Sequence, residues 1–584
     1  MGMRKKEESI EIEELDITTR RMLTILRILI FIIVPIILFY LMEGFEHNAF
    51  EEVRSLAQFY NIFLFELIAW LLFFVTGSGC VALRIETAIA FVYGVVNHYV
   101  MAFRSTPLVP WDVFSIETAA SVAGNYDFTP TEDFLKVCGA FVLVFILLHF
   151  VKLKFPYGMF MRVIPTICVG LVLCTFVNLL WDDDFQTDSY LYPFLFTPAH
   201  MTKVNGMAVT FAMDMEYVYV EKPEGYSKTR AEAILEEYEV IEEADASIEE
   251  YPNIIVIMNE AFADLSVLGD FAVNQDYMPF IHMLQQGYEN TVTGNLMVSV
   301  CGGNTANTEF ELLTGHTMDY FPVGSIPYQQ YISGDTESVA SQLRDLGYAT
   351  YGMHPYNSTG WSRNKVYPWL GFDESYFVRD FTGRRYLRDY VSDRSAYEKI
   401  LEVYENKEEG TPAFIFEVTM QNHGGYTDLH ENFTPDVHAE DLNSAQLDQY
   451  LSLLKVSDRE LARLIDYFKT EQEKTIIVFF GDHQPSDAVV RPILRWNGVD
   501  TSNMSVEQAQ KRYVVPYVVW ANYDIEEEIQ ADTDISFLMA DVLDRADLPT
   551  TAYQNFLLEL EKKPKSEKLL EQYEILQYYF MFEN

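Results

Sequence analysis

Ile476-Ile477-Val478-Phe479-Phe480-Gly481-Asp482-His483 runs from an unbroken apolar stretch straight into a carboxylate and an imidazole. A short apolar run closed by glycine reads as a buried β-strand. The same shape recurs three times. Residues 254–258 lead into Asn259-Glu260, residues 349–353 into His354, and residues 414–418 into Gln421-Asn422-His423-Gly424-Gly425. Residues 291–298 and 517–520 are further candidate strands, and helical patterns cover 339–346, 396–404 and 447–468. This alternation predicts an α/β domain with a mostly parallel sheet. In such sheets ligands bind beyond the carboxyl ends of the strands, where these polar groups collect.

Working toward the N-terminus, the character of the chain changes. Five apolar segments, 23–42, 62–75, 85–103, 134–151 and 163–181, are candidates for membrane spans, the second being short for one. A cleaved signal peptide has a single short apolar stretch, which five segments do not fit. Arg4, Lys5, Lys6, Arg20 and Arg21 precede the first segment, and Arg84, Lys152, Lys154 and Arg162 fall in alternate connections. The positive-inside rule places these residues in the cytoplasm, and the odd number of spans places everything after Trp181 outside. The predicted organisation is a cytoplasmic N-terminus (1–22), a five-helix membrane domain (23–181), an acidic linker (182–250), an external catalytic domain (251–550) and a C-terminal tail (551–584).

Asp and Glu number 86 against 41 Lys and Arg, which makes the chain a poor partner for nucleic acid. The acidic run Glu236, Glu237, Glu242, Glu243 reads as a solvated face. Cys301 is the only cysteine after Trp181, so the soluble half has no internal disulfide.

A carboxylate beside an imidazole at a strand end suits a divalent ion, and Glu260 at the same edge would complete a ligand set. A helix cap and a surface histidine are the alternative reading of Asp482 and His483. Gly302-Gly303-Asn304-Thr305-Ala306-Asn307-Thr308 reads as a glycine-rich turn entering a helix, whose first N–H groups favour a phosphate. Thr305 or Thr308 there is either a nucleophile or a cap. His354, Trp361 and Arg363 form another polar cluster able to hold a phosphate and an attached polyol. His423 could donate a proton to a leaving oxygen.

The order Glu260, Gly-Asn-Thr305, Trp361-x-Arg363, Asn-His423 and Gly-Asp482-His483 resembles the lipoteichoic acid synthase family. That family belongs with the bacterial phosphoglycerol transferases in the alkaline phosphatase and sulfatase superfamily. The resemblance implies an external sulfatase-like catalytic domain with Thr305 as a nucleophile that carries glycerophosphate. It implies Glu260, Thr305, Asp482 and His483 as ligands of one divalent metal ion, manganese before magnesium or zinc, with His354, Trp361, Arg363 and His423 contacting the phosphoglycerol group. The implied partners are phosphatidylglycerol as donor, a glycerol-phosphate or glycolipid acceptor, and the cell membrane. The sulfatase signature Cys/Ser-x-Pro-x-Arg is not found at Cys301, which counts against sulfate esters. Phosphoethanolamine transfer, or a catalytically silent membrane scaffold, are the alternatives.

Overall fold

The computed structural model describes residues 17–583 except 105–106, 111, 113–128, 157, 193–197, 219, 240–250, 323–324, 428 and 500–503. Most of the expected cytoplasmic segment therefore lies outside the described residues. The chain forms two compact units, Met1–Tyr219 and Val220–Asn584.

In the first unit, the helices Ile17–Glu43, Ser55–Thr76, Gly79–Arg104 and Phe160–Leu180, and the helix Glu132–Leu147 together with the 3-10 turn Leu148–Phe150 that continues it, are long and apolar enough to cross a membrane. Ile25, Leu29, Phe160 and Ile164 are exposed on them, as a lipid-facing surface requires. The chain is a multi-pass membrane protein. The second span is longer than its apolar run, because it starts at Ser55 and carries Asn61 inside it. Asn61 is buried and fully engaged: Nδ2 donates to the carbonyls of Ala57 (2.8 Å) and Asn205 (2.7 Å), and Oδ1 accepts the Val209 N–H at 3.0 Å. Hydropathy cannot see a polar residue whose partners lie far along the chain.

Those partners sit in the stretch read as a linker, which holds the short helices Asp183–Asp188, Pro198–Asn205 and Met207–Asp214. Met207, Val209 and Met213 are buried in the same core as the spans. Glu43, at the end of the first span, accepts the Met207 N–H at 2.7 Å.

The second unit is built on a sheet. Its strands are β1 (Asn253–Asn259), β2 (Thr291–Met297), β3 (Ala349–His354), β4 (Glu374–Phe377), β7 (Ala413–Val418), β8 (Thr475–Gly481), β9 (Val514–Ala521), β10 (Glu528–Ile529) and β11 (Thr533–Asp534). A separate hairpin pairs β5 (Tyr386–Leu387) with β6 (Tyr390–Val391). The order across the main sheet is β10-β2-β9-β8-β1-β7-β3-β4, with β11 also on β2. Every pair is parallel except those of β9 with β8 and with β2. Strands β1, β7 and β8 are buried along their whole length, which is why they read as unbroken apolar runs.

Register decides what meets at the carboxyl edge. Asn259 pairs with Gly481, Met258 with both Phe480 and Val418, and Met353 with Glu417. The four central parallel strands therefore end level, and the residues that follow them are brought to one place.

The expected tail is structured. Helices Ala552–Lys562 and Glu567–Phe582 pack with Lys228–Tyr238 around Ile234, Phe556, Leu557, Leu560, Ile575 and Leu576. The buried His316 abuts this group, with Nδ1 2.7 Å from the Tyr553 hydroxyl. Burial pushes its imidazole down to about 3. The unfolded chain titrates this histidine near pH 6.5, so between these values the unfolded state binds more protons. The contribution is complete above about pH 6.5 and is lost as pH falls, by ~1.4 kcal/mol per unit. Thermal melts of the full chain should fall more steeply from pH 6.5 to 5 than those of His316→Asn. Parallel slopes would refute this assignment.

Candidate metal centre and nucleophile

Beyond the carboxyl edge, one ligand atom each from Glu260, Asp482 and His483 lies within 4.8 Å of the others. All three residues are buried. Asp482 follows β8 directly; its Oδ1 accepts the Ala261 N–H at 2.7 Å, while Oδ2 is buried without a hydrogen-bond partner. That oxygen lies 3.2 Å from His483 Nε2, itself a buried atom without a hydrogen-bond partner. His483 Nδ1 is 2.9 Å from the Gln484 carbonyl and so carries the proton, leaving the Nε2 lone pair facing the carboxylates. Glu260 Oε1 is 3.9 Å from the same nitrogen.

Burial, and then the charge of Asp482, push the Glu260 carboxyl well above the ordinary range. Two carboxylates and an imidazole lone pair, closely grouped and desolvated, are costly together unless a cation joins them. The donor set fits a divalent metal ion.

The turn before the nucleophile candidate is shaped by positive φ at Gly302, Gly303 and Asn304. Asn304, at φ 66°, is the cap of the helix Thr305–Thr314. The Gly302 N–H donates to the Gln484 carbonyl at 2.9 Å, tying this turn to the segment after β8. The two threonines differ. Thr308 is fully buried and its hydroxyl donates to the Asp482 carbonyl at 2.9 Å. The Thr305 hydroxyl has no hydrogen-bond partner among the described residues, and the residue keeps a small exposure. Cys301, just before the turn, is a free thiol that burial pushes up to about 11.

His354 ends β3, and its Nδ1 lies 2.9 Å from the Val418 carbonyl. Burial, then the Arg363 charge, hold its imidazole well below its usual range, so it is neutral with Nε2 as acceptor. Trp361 and Ser362 both adopt left-handed backbone conformations, at φ 53° and 58°. Such strain in non-glycine residues persists only where the surroundings hold it. It delivers Arg363 to a buried position at the start of the helix Arg363–Trp369.

There Arg363 meets an acid that the sequence reading did not anticipate. Arg363 is ion-paired with Glu309, through Nε at 3.0 Å and through Nη2. The Tyr367 hydroxyl donates to the same carboxylate at 2.9 Å. His423 is exposed beyond β7, with Nδ1 3.0 Å from the Tyr390 hydroxyl. Arg388, in the turn between β5 and β6, supports that loop by donating Nη2 to the carbonyls of Gln421 (2.9 Å) and His423 (2.7 Å). Glu309, Arg388 and Tyr390 were not singled out from the sequence. Glu309 had one usable signal, an acid four residues after Thr305 beside Phe310 and Leu312, on the face a helix would bury.

The sulfatase family profile matches residues 252–548, just over half of the chain. The chain belongs to the sulfatase family. Among its relatives, a putative cyclic β-1,2-glucan modification protein of Rhizobium meliloti (strain 1021) is 29% identical over 486 residues, 80% of this chain and 74% of that protein. The capsular polysaccharide biosynthesis protein RkpI of the same organism is 31% identical over 240 residues, 41% of this chain and 42% of that protein. Among solved structures, the Streptococcus pyogenes phosphoglycerol transferase GacH, in complex with sn-glycerol-1-phosphate, superposes with a TM-score of 0.52 at 21% identity. It covers 62% of this chain and 96% of that one, and shows a shared fold.

Proposed function

We propose that this sulfatase-family protein is a membrane-bound, metal-dependent phosphoglycerol transferase. It moves glycerophosphate from phosphatidylglycerol, through a phospho-threonine at Thr305, to a glycerol or glycan acceptor. The observation that carries the reading is a compact Glu-Asp-His group next to the start of a helix, to which Gly302 and Thr308 tie it; the Thr305 hydroxyl there has no hydrogen-bond partner among the described residues. The basic residues flanking the spans support a catalytic unit outside the cytoplasm. The division into a cytoplasmic N-terminus, a membrane domain, a linker, a catalytic domain at 251–550 and a tail is part of the same proposal. The relatives named for glucan modification and capsular polysaccharide favour a glycan acceptor.

Glu260, Asp482, His483 and the Thr305 hydroxyl would hold one divalent ion, manganese in the first instance, with magnesium or zinc also compatible with these donors. When bound, the ion supplies positive charge that eases ionisation of the hydroxyl and stabilises the phosphoryl oxygens.

In the first step a bond forms from Thr305 Oγ to phosphorus, and the bond from phosphorus to the diacylglycerol oxygen breaks. The hydroxyl proton passes by way of His423 to the departing oxygen, so that His423 begins and ends the step neutral. In the second step an acceptor hydroxyl gives its proton to His423 and attacks phosphorus, and the Thr305 oxygen leaves, taking that proton from His423 to restore the hydroxyl. The N–H groups opening the helix Thr305–Thr314 attract the phosphate. His354 Nε2 can accept from a glycerol hydroxyl, Trp361 can cover the apolar edge of the glycerol, and Arg363 can steady a phosphoryl oxygen.

The test is to incubate the full chain in detergent with headgroup-labelled phosphatidylglycerol and Mn2+, then to measure diacylglycerol and map adducts by mass spectrometry. The expected result is diacylglycerol release and a glycerophosphate on Thr305, both abolished by chelation. Transfer from phosphatidylethanolamine alone would replace the donor. Absence of any phospholipid turnover would favour a silent scaffold.

A further inference from the structure

Glu309 stands one helical turn after Thr305 on the same helix, so one rigid element carries both the proposed nucleophile and the acid that grips Arg363. The pair is shut away from water, with the arginine 2% and the glutamate 0% exposed. Glu309 takes Nε and Nη2 of the guanidinium and is itself held by Tyr367, while Arg363 Nη1 has no hydrogen-bond partner among the described residues. We propose that Glu309 is a positioning residue that orients Arg363 and cancels its charge, so that the site favours singly charged phosphodiesters over doubly charged phosphate monoesters. This rests on the phosphotransfer reading above.

The charges of the surrounding side chains support it. Glu260 and Asp482 would balance a divalent ion, and Glu309 balances Arg363. Arg388 remains as the cation among these groups that forms no ion pair with a carboxylate among the described residues. The largely exposed Asp389 and the buried Glu260 act on it only through space. Its Nη2 bonds are to backbone carbonyls, and its Nε is buried without a hydrogen-bond partner. Such a site matches one negative charge on the substrate. Removing the Glu309 charge frees a second cation in a desolvated place, where its attraction for a dianion is strong.

The experiment compares the full chain with Glu309→Gln, in detergent with Mn2+, on bis(p-nitrophenyl) phosphate and p-nitrophenyl phosphate. Glutamine keeps the shape and an acceptor oxygen but drops the charge. The ratio of monoester to diester kcat/KM should rise about tenfold, with a higher KM for the diester. Equal losses on both substrates, or an unchanged ratio, would overturn the proposal. Tyr367→Phe keeps all charges and loosens Glu309, so it should raise the diester KM about threefold, with kcat nearly constant and the ratio unchanged. Should Glu309→Gln fail to fold, an unchanged KM in Tyr367→Phe overturns the positioning role. A wild-type chain that cleaves neither ester refutes the phosphotransfer reading and this inference with it; wild-type turnover with an unaltered ratio refutes the inference alone.

Discussion

Thr305→Ala should leave a folded protein that still binds Mn2+, forms no glycerophosphate adduct, and releases diacylglycerol at least about a thousandfold more slowly. The expectation follows from how little the hydroxyl does for the fold. Thr305 opens the helix Thr305–Thr314, but the cap position is Asn304, and no hydrogen bond within the described chain depends on the Thr305 hydroxyl. Alanine suits a helix start in its backbone preference and leaves no buried group unpaired. Thr308→Val is the contrast. It strips the Asp482 carbonyl of a buried donor and should lower the melting temperature, while the adduct still forms on Thr305. An adduct that moves to Thr308, or persists in full in Thr305→Ala, would end the covalent assignment.

The second large effect is structural. Gly481→Ala should prevent the second unit from folding. An added Cβ would lie 1.7 Å from the Phe262 carbonyl oxygen and 2.7 Å from its carbonyl carbon. Both are backbone atoms, so no rotamer change relieves the clash. Gly481 also pairs with Asn259 where β1 and β8 end, immediately before Glu260 and Asp482. Forcing the strand ends apart should cost upwards of about 4 kcal/mol, a large share of an ordinary domain's stability. The readout is protease resistance of the C-terminal half in membranes. Resistance equal to wild type would show that the strand ends yield more easily than this geometry allows. Gly303 is instructive beside it: its Cβ would meet nothing within 4 Å, so substitution there meets backbone strain alone.

How much of this was readable beforehand varies with the physics of each element. Strands β1, β7 and β8 are buried on both faces and parallel, so their sequences are unbroken apolar runs. Their level ends bring Glu260, Asp482 and His483 to one edge, with His354 at the end of β3 beside them, which is why the sequence reading looks to strand ends for its candidates. The antiparallel direction of β9 has no local signature, because a central strand is apolar whichever way it runs. The polar start of the second span and the helices at 183–214 escaped hydropathy for a similar reason. Asn61 and Asn205 are satisfied by groups distant in sequence, and short helices give no long apolar window. The pairing of Arg363 with Glu309 was hidden too, since 54 residues separate them and each alone looks like a surface charge.

The lone thiol at Cys301 has a bearing on durability. With its proton held to about 11, only about one sulfur in ten thousand is ionised at neutral pH, and the ionised form is what oxidants and other thiols attack. The approach to the glycine turn can thus endure an oxidising milieu with no cystine to guard it. Alkylating reagents should mark it only in alkaline buffer.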